Sequence, residues 1–290
     1  RPALVLTADS VTAERVAAEL SSAFGQGQES DFLARRVHLL PAREAPALEM
    51  VSPPLEVEAA RSAALYQLAA ARCPVVVASP EALVSRTDAK TRLLEAVAYL
   101  VVGDELDRDA FADRLEAMGY RRRSTVEEAG DMAVRGGIID LWAPGYALPV
   151  RLELLGDTLE SLRSFDPSDQ CSRVVMEELA VLPPRPFDYS LLATPEARRG
   201  LAQRADHLLL PSAEVGRLDA CMVAGKAFGG VEMMLPYATI DADWAGHYLG
   251  EDAITVVVDR EAVAEGIDAT VSRIDRAEEA AREAGTFFPS

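Results

Sequence analysis

Lysine is almost absent: the chain has two, Lys90 and Lys226, among 29 basic residues. Aspartate and glutamate number 47, which leaves a formal net charge of −18 over 290 residues. A protein that grips phosphates by itself needs a basic face, because phosphate neutralisation supplies most of that affinity. The acidic total therefore argues against stand-alone DNA binding. Arg121-Arg122-Arg123 is a local basic run, read as the fringe of a strand, with phosphate contact as the lesser alternative. Cysteine is scarce and scattered at Cys73, Cys171 and Cys221, a spacing that points to a reducing compartment and to no metal site. Three histidines, His38, His207 and His247, are too few and too dispersed for a histidine metal centre. No run of about 18 apolar residues exists, so no transmembrane helix is expected and a cytoplasmic location is. The opening Arg1-Pro2-Ala3-Leu4 leads straight into a strand-like run and reads as a cut edge of something longer, not as a signal peptide.

A nucleotide phosphate loop is missing too. Such a loop needs glycines so that backbone N–H groups can approach the phosphates, then a lysine and a hydroxyl residue. Lys90-Thr91 has the final pair, but Asp88 and Ala89 precede it; Gly225-Lys226 is followed by Ala227, which cannot hold a metal. The reading is a non-enzyme, with no catalytic residues, no metal and no cofactor. Glu127-Glu128 and Glu177-Glu178 read as solvated acids, Asp241, Asp243 and His247 as a loop, and Met233-Met234 and Trp244 as core.

What is present falls into three parts. Ala3 to Ala8 is an apolar strand, Asp9 or Ser10 caps a helix, and Arg36 to Leu40 is a second strand. Leu55 to Arg72 has helical spacing, Pro74 to Ser79 reads as a buried parallel strand, and Ser79-Pro80 opens a short helix. This alternation predicts an α/β layer over residues 1–95. Residues 96–184 predict an α+β unit: a helix from Asp107 to Met118 capped by Asp107 and stopped by Gly119, a strand over Tyr120 to Val126, antiparallel hairpins, and a last strand from Arg173 to Leu182. Beyond the proline-rich stretch through Pro186, residues 185–290 carry a short strand at His207 to Leu210, a strand at Ala253 to Val258 and an amphipathic helix at Arg260 to Ala284. This third part is expected to return to the first sheet, with the second unit inserted.

Gly130 to Asp166 is the most informative stretch. Ile138 to Trp142 and Leu148 to Leu155 are strand-length apolar runs around the turn signal Ala143-Pro144-Gly145, and Gly156-Asp157 suits a type II′ hairpin. Period two sets Val150, Leu152 and Leu154 on a core face and Arg151, Glu153 and Leu155 on the outer one. A bare arginine beside a bare leucine is more than a scaffold needs. Gly136-Gly137 is read as a possible bulge, which leaves the direction of Arg135 open. An intramolecular salt bridge, for instance from Arg151 to Glu160, is the competing explanation of the arginine.

Arg135-Gly136-Gly137-Ile138-Ile139-Asp140, Pro149-Val150-Arg151-Leu152-Glu153, Gly156-Asp157 and Ser161-Leu162-Arg163-Ser164-Phe165-Asp166-Pro167, with Gln170 and Ser172, resemble domain 2 of the UvrB-homology module of transcription-repair coupling factors. Ser52-Pro53, Arg61 and Leu65-Tyr66-Gln67-Leu68 resemble domain 1a of that module, and Gly229 to Tyr237 resembles its domain 1b. The resemblance implies a degenerate RecA-like helicase layer (1a and 1b) with the α+β domain inserted, a platform that docks the repair ATPase UvrA. It carries the docking role to Arg135 and Arg151 and, where the family has Phe, to Leu155. Trp142 and Glu153 are possible additional contacts, although Trp142 also reads as core. Arg151→Ala is then expected to weaken UvrA binding by about 1–3 kcal/mol. Further implied partners are a masking C-terminal domain of the full-length protein, and RNA polymerase and DNA through regions outside this chain. The alternative is a fragment of an active ATP-dependent DNA helicase or UvrB-like repair subunit. A UvrB-like clamp needs aromatic rings to stack on bases, and Pro41 to Pro54 has none.

Overall fold

The computed structural model describes residues 1–25, 32–43, 51–70, 74–185, 189–224, 228–238 and 243–288. Cys73, Gly225-Lys226-Ala227, Asp241, Pro186 and residues 44–50 of the Pro41 to Pro54 stretch lie outside the described residues.

The first part starts with β1 (Ala3–Leu6), α1 (Ser10–Ala23), β2 (Val37–Leu40), α2 (Leu55–Ala69) and β3 (Val75–Ala78). These apolar strands need cover on both faces. Val5, Val37 and Val77 pack under Ala13 and Ala17 of α1, while Leu4, Leu40 and Val76 pack under Leu65 and Leu68 of α2. Asp9 caps α1, its carboxylate accepting the Thr12 N–H at 2.7 Å. A short α3 (Pro80–Val84) is capped by Ser79 with Pro80 in its first turn, as the sequence predicts. The two-residue β4 (Arg86–Thr87) and α4 (Lys90–Ala96) complete this part.

The chain enters the second part along β5 (Ala98–Val101) and passes α5 (Arg108–Ala117), capped by Asp107 and released at Gly119, whose φ is +97°. Then come β6 (Arg121–Arg122), β7 (Asp131–Arg135), β8 (Ile138–Leu141), β9 (Val150–Leu155), β10 (Thr158–Phe165) and β11 (Ser172–Met176), which form a six-stranded sheet in the order β11-β10-β9-β8-β7-β6. Its inner face, with Met132, Ile139, Leu141, Val150, Leu152 and Leu162, is closed by Phe111 and Leu115 of α5. The return strand β12 (Glu178–Val181) pairs antiparallel with β5, so chain entry and exit share one two-stranded stem.

The third part holds α6 (Pro195–His207), α7 (Ser212–Val223), a four-residue α8 (Leu235–Ala238), β13 (Asp243–Trp244), β14 (Ile254–Val257) and α9 (Arg260–Ala284). β14 pairs parallel with β1, giving a four-stranded parallel sheet in the order β14-β1-β3-β2. The architecture is mixed α/β, with a parallel sheet and a separate, mainly antiparallel one. Third-part residues are also tied to the first by buried charge. Glu232 accepts the Ser52 hydroxyl at 2.7 Å and Arg185 Nη1 at 2.6 Å, and Arg43 forks onto Glu58 at 2.6 and 2.9 Å. Arg61, fully buried, donates to the Pro41 and Ala82 carbonyls. Ser52, Arg61 and Glu232 are thus structural members of their motifs.

Four local expectations need correction. Tyr120 to Val126 is not a strand: only Arg121–Arg122 pair with β7, and the chain then lifts away so that Val126 can be buried on the outer side of the sheet. Arg173 to Leu182 is two strands, because the chain leaves the large sheet at Glu177, whose carbonyl accepts the Val102 N–H, to join β5. His207 to Leu210 closes α6; a short apolar run has no period of its own, and Leu209 turns left-handed at φ +55°. Gly136-Gly137 is a hairpin turn, with Arg135 directly opposite Ile138, and not a bulge. No helix among the described residues is long and apolar enough to cross a membrane.

Candidate partner-binding face of the inserted sheet

Strand pairing fixes which side chains share the outer face. Arg135, Ile138 and Glu153 stand in one row, and Ala133, Asp140, Arg151, Arg163 and Val175 in the next. The Gly-Gly turn is demanded locally: Gly136 has φ +56°, and a Cβ on Gly137 would lie 2.7 Å from the Leu154 carbonyl oxygen. Gly156, at φ +63°, closes the next hairpin, between Leu155 and Thr158.

The two ends of the face differ. At one end the loop after β6 folds over it, and Val126, Ala133 and Phe165 form a second small core against which Trp142 packs. The Trp142 indole N–H donates inward to the Tyr146 carbonyl at 2.9 Å. At the other end Arg135 is exposed and Leu155 is 68% exposed, with Ile138 and Glu153 half-buried beside them. Arg151 marks the boundary.

Asp140, 1% exposed, is the hub. Its carboxylate accepts Arg151 Nε at 2.6 Å and Arg151 Nη2 at 2.9 Å, a two-point fork, and also Arg135 Nη2 at 2.6 Å. The Arg151 guanidinium lies 4.6 Å above the centre of the Phe165 ring and reaches the Gln170 backbone and side-chain oxygens at 3.5 and 3.4 Å. Hydrogen bonding to Asp140 raises the Arg151 pKa, so it is charged throughout the working range. Arg151 is therefore mostly enclosed, its side chain 17% exposed, whereas that of Arg135 is 50% exposed. Glu153 accepts the Ser161 hydroxyl and faces Arg163 at 3.8 Å. The intramolecular acid for Arg151 is Asp140, not Glu160, because a register shift between Leu159 and Ser161 sets Glu160 out of the row and Arg163 stands opposite Arg151.

The structure also gives Phe165-Asp166-Pro167 and Gln170 a physical reason. Phe165 and Gln170 hold Arg151, while Asp166 turns the chain into β11 by accepting the Ser168 N–H and hydroxyl and Arg173 Nη2. The Ser168 side chain and backbone, then Arg173, hold the Asp166 carboxyl down at about 2. A depressed carboxylate contributes stability that is complete above its ordinary value of about 3.9 and is lost as pH falls through about 2. NMR titration of Asp166 is expected to find this turn intact at pH 4 and opening only below pH 3; opening near pH 4–5 would contradict the arrangement.

Asp140, Phe165, Gln170, Arg163 and Val175 were missed as members of this face. Strand parity from Ile138 could have found Asp140; the cross-strand partners needed the register. The basic run is locally paired: Arg121 with Glu128 and Asp131 at 2.9 Å, Arg122 with Glu116 at 3.1 Å and Arg123 with Asp131 at 3.8 Å. Among the described residues, no group of three or more histidine, cysteine or acidic side chains is placed to hold a metal ion, and Cys171 and Cys221 are free thiols.

A family model described as the UvrB interaction domain matches residues 99–187. The transcription-repair-coupling factor of Myxococcus xanthus is 35% identical over 237 residues, 81% of this chain and 20% of that protein. Its counterpart in Mycobacterium tuberculosis is 33% identical over 266 residues, 87% of this chain and 20% of that protein, and the Bacillus subtilis protein is 28% identical over 73% of the chain. The chain spans about a fifth of the length of the first two relatives. The chain is thus similar to the transcription-repair coupling factors over most of its length, and residues 99–187 match the UvrB interaction domain.

Proposed function

We propose that this chain is the UvrB-homology module of a transcription-repair coupling factor: a non-catalytic platform that recruits UvrA for nucleotide excision repair. Residues 1–95 and 185–290 act as a degenerate RecA-like bracket, domains 1a and 1b, and 96–184 as the UvrA-binding insert. The observation that carries this reading is the open end of the sheet face. There, within the residues matching the UvrB interaction domain, Arg135 and Leu155 stand exposed on a rigid hairpin pair. The accessible guanidinium is Arg135, aimed by Asp140. Arg151 acts chiefly by neutralising that buried carboxylate, and Leu155 supplies an aliphatic contact in place of a ring. An arginine held in this way keeps donors for a partner carboxylate while losing little side-chain freedom on docking.

The bracket is read as non-catalytic because an open parallel sheet takes its ligand at the carboxyl ends of its strands, and α9 crosses there. Gly266 lies so close to the Ala8 carbonyl that a Cβ would be 2.1 Å away, and Arg273 is paired with Glu81 at 2.7 Å. What space remains is lined by Asp9, Glu81 and Glu265 together with Arg273, spent on Glu81, and Arg276. Measurable ATP affinity in a titration would revive the reading as part of an active motor. In the full-length protein, in the cytoplasm, a C-terminal domain masks this sheet face, and RNA polymerase and DNA are engaged through other regions.

Arg135→Ala is expected to weaken UvrA binding by about 1–3 kcal/mol, the range for a charged hydrogen bond, with the thermal melt little changed because the side chain is half exposed. Titration calorimetry showing undiminished affinity would remove the arginine from the interface.

A further inference from the structure

The strand β14 ends the parallel sheet: among the described residues it pairs with β1 alone. That pairing runs in unbroken register, Ala3 to Leu6 against Ile254 to Val257, so no bulge bends the edge away. The Ile254 N–H donates to the Pro2 carbonyl and the Val258 N–H to the Leu6 carbonyl, both at 2.9 Å. Parallel alternation then gives the backbone of Ile254 and Val256 to β1 and turns that of Thr255 and Val257 outward. All four residues of the strand are exposed, with Ile254, Val256 and Val257 at 44–47%. Strands of a parallel sheet are normally covered on both faces, and open edges normally carry a charge, a proline or a bulge. Ile254-Thr255-Val256-Val257 has none of these.

A second copy of the same strand fits this edge. Laid antiparallel about a two-fold axis, one register pairs both outward residues of each copy. Thr255 then stands opposite Val257 of the second copy, and Val257 opposite its Thr255, with two N–H···O=C bonds in each pair. Two residues either way, the fit is lost. One shift sets Val257 opposite Ala253, whose N–H is already given to the Gly250 carbonyl; the other sets Thr255 opposite Asp259, left-handed at φ +59°. The favoured register also puts Val256 beside its own counterpart on the axis and Ile254 beside Val258, an apolar row on the face that α1 covers. It brings Asp252 against Arg260 of the second copy at both ends of the seam. Both side chains are exposed, and neither has a partner within the chain among the described residues. Glu251 and Glu261, like in sign, fall one step farther out, where α9 has left the line of the strand. Charge pairs of this kind fix register more than they add affinity.

We propose that β14 is a self-association edge, and that two copies of this chain join β14 to β14 about a two-fold axis into one sheet of twice four strands. The proposal stands apart from the reading of the inserted sheet, since no residue of that face takes part. One four-residue strand per copy is small against the roughly 1,200–2,000 Å² of stable interfaces, so a weak, concentration-dependent dimer is expected.

Sedimentation equilibrium of the chain, carried to about 1 mM, where even a millimolar Kd shows, is expected to find monomer passing into dimer. Asp252→Arg alone and Arg260→Asp alone, each checked by a thermal melt, are expected to weaken the dimer at least tenfold, because each sets like charges together at both ends of the seam. The two variants mixed are expected to associate as the parent does, since each then meets its opposite in the other. Only a two-fold seam in this register gives that rescue. Hydrogen exchange on the unsubstituted chain is expected to show the Thr255 and Val257 amides fast when dilute and protected when concentrated. Association that neither substitution weakens, or a mixture that recovers nothing, overturns the proposal. A chain that stays monomeric throughout overturns it too, and the two amides then say what else takes the edge. Protection in the dilute chain would mean that the chain covers its own edge, and fast exchange at every concentration would leave the edge to a different partner.

Discussion

Arg151→Ala is expected to destabilise the inserted unit by about 3–5 kcal/mol, the range for breaking a buried ion pair by removing one partner. Asp140 is 1% exposed, and Arg151 supplies two of the three donors that neutralise it at 2.6–2.9 Å. Without that fork the carboxylate keeps only Arg135, whose half-exposed side chain must choose between Asp140 and solvent. The Phe165 ring also loses the cation stacked on it at 4.6 Å. Arg151→Lys is expected to recover only part of the loss, because a point charge on a flexible stem can neither fork nor stack in the same way. Urea denaturation monitored by Trp142 fluorescence is the measurement. A loss under about 1 kcal/mol would show that Asp140 is not dependent on Arg151. This changes how the binding expectation for Arg151→Ala is to be interpreted: a loss of UvrA affinity in that variant would mix a missing contact with a loosened sheet. Arg135→Ala is the cleaner probe.

Gly266→Ala should also destabilise the protein, against its local propensity. Alanine in a helix interior is worth about 1 kcal/mol over glycine, so on an isolated helix the substitution would stabilise. Here a new Cβ would sit 2.1 Å from the Ala8 carbonyl oxygen, backbone against backbone, with no flexible side chain to give way. The helix α9 must lift by about 1 Å, and overpacking of this kind costs about 1–3 kcal/mol or more. Lifting it also strains the Arg273–Glu81 pair and the Asp259 cap. A net loss of about 2 kcal/mol is expected, with faster proteolytic cleavage near Val258-Asp259. A raised melting temperature would mean that the crossing of α9 over β1 is looser than the structure has it.

Periodicity carried much of the fold. The apolar runs at Ala3, Arg36, Pro74 and Ala253 are strands, the caps at Asp9, Ser79 and Asp107 hold, and Arg260–Ala284 is one helix. Each depends on interactions within a few residues, which a linear pattern records. The failures share the opposite cause. Val126 leaves its strand for a cluster with Phe165, nearly forty residues on, and Glu177 bends because β5 claims the strand after it.

For the candidate site, the residue types and their parity were legible in the sequence itself: an arginine and a leucine on the outer face of β9, between glycine turns. What only the tertiary structure decided is how those charges are spent. Cross-strand register places Asp140 beside Arg151 and sets Glu160 out of the row, and no local pattern contains that pairing. A buried carboxylate takes whatever cation the register brings nearest, because leaving it unpaired is too costly. For that reason Arg151 is enclosed while Arg135, sharing the same acid from the hairpin end, is left half exposed.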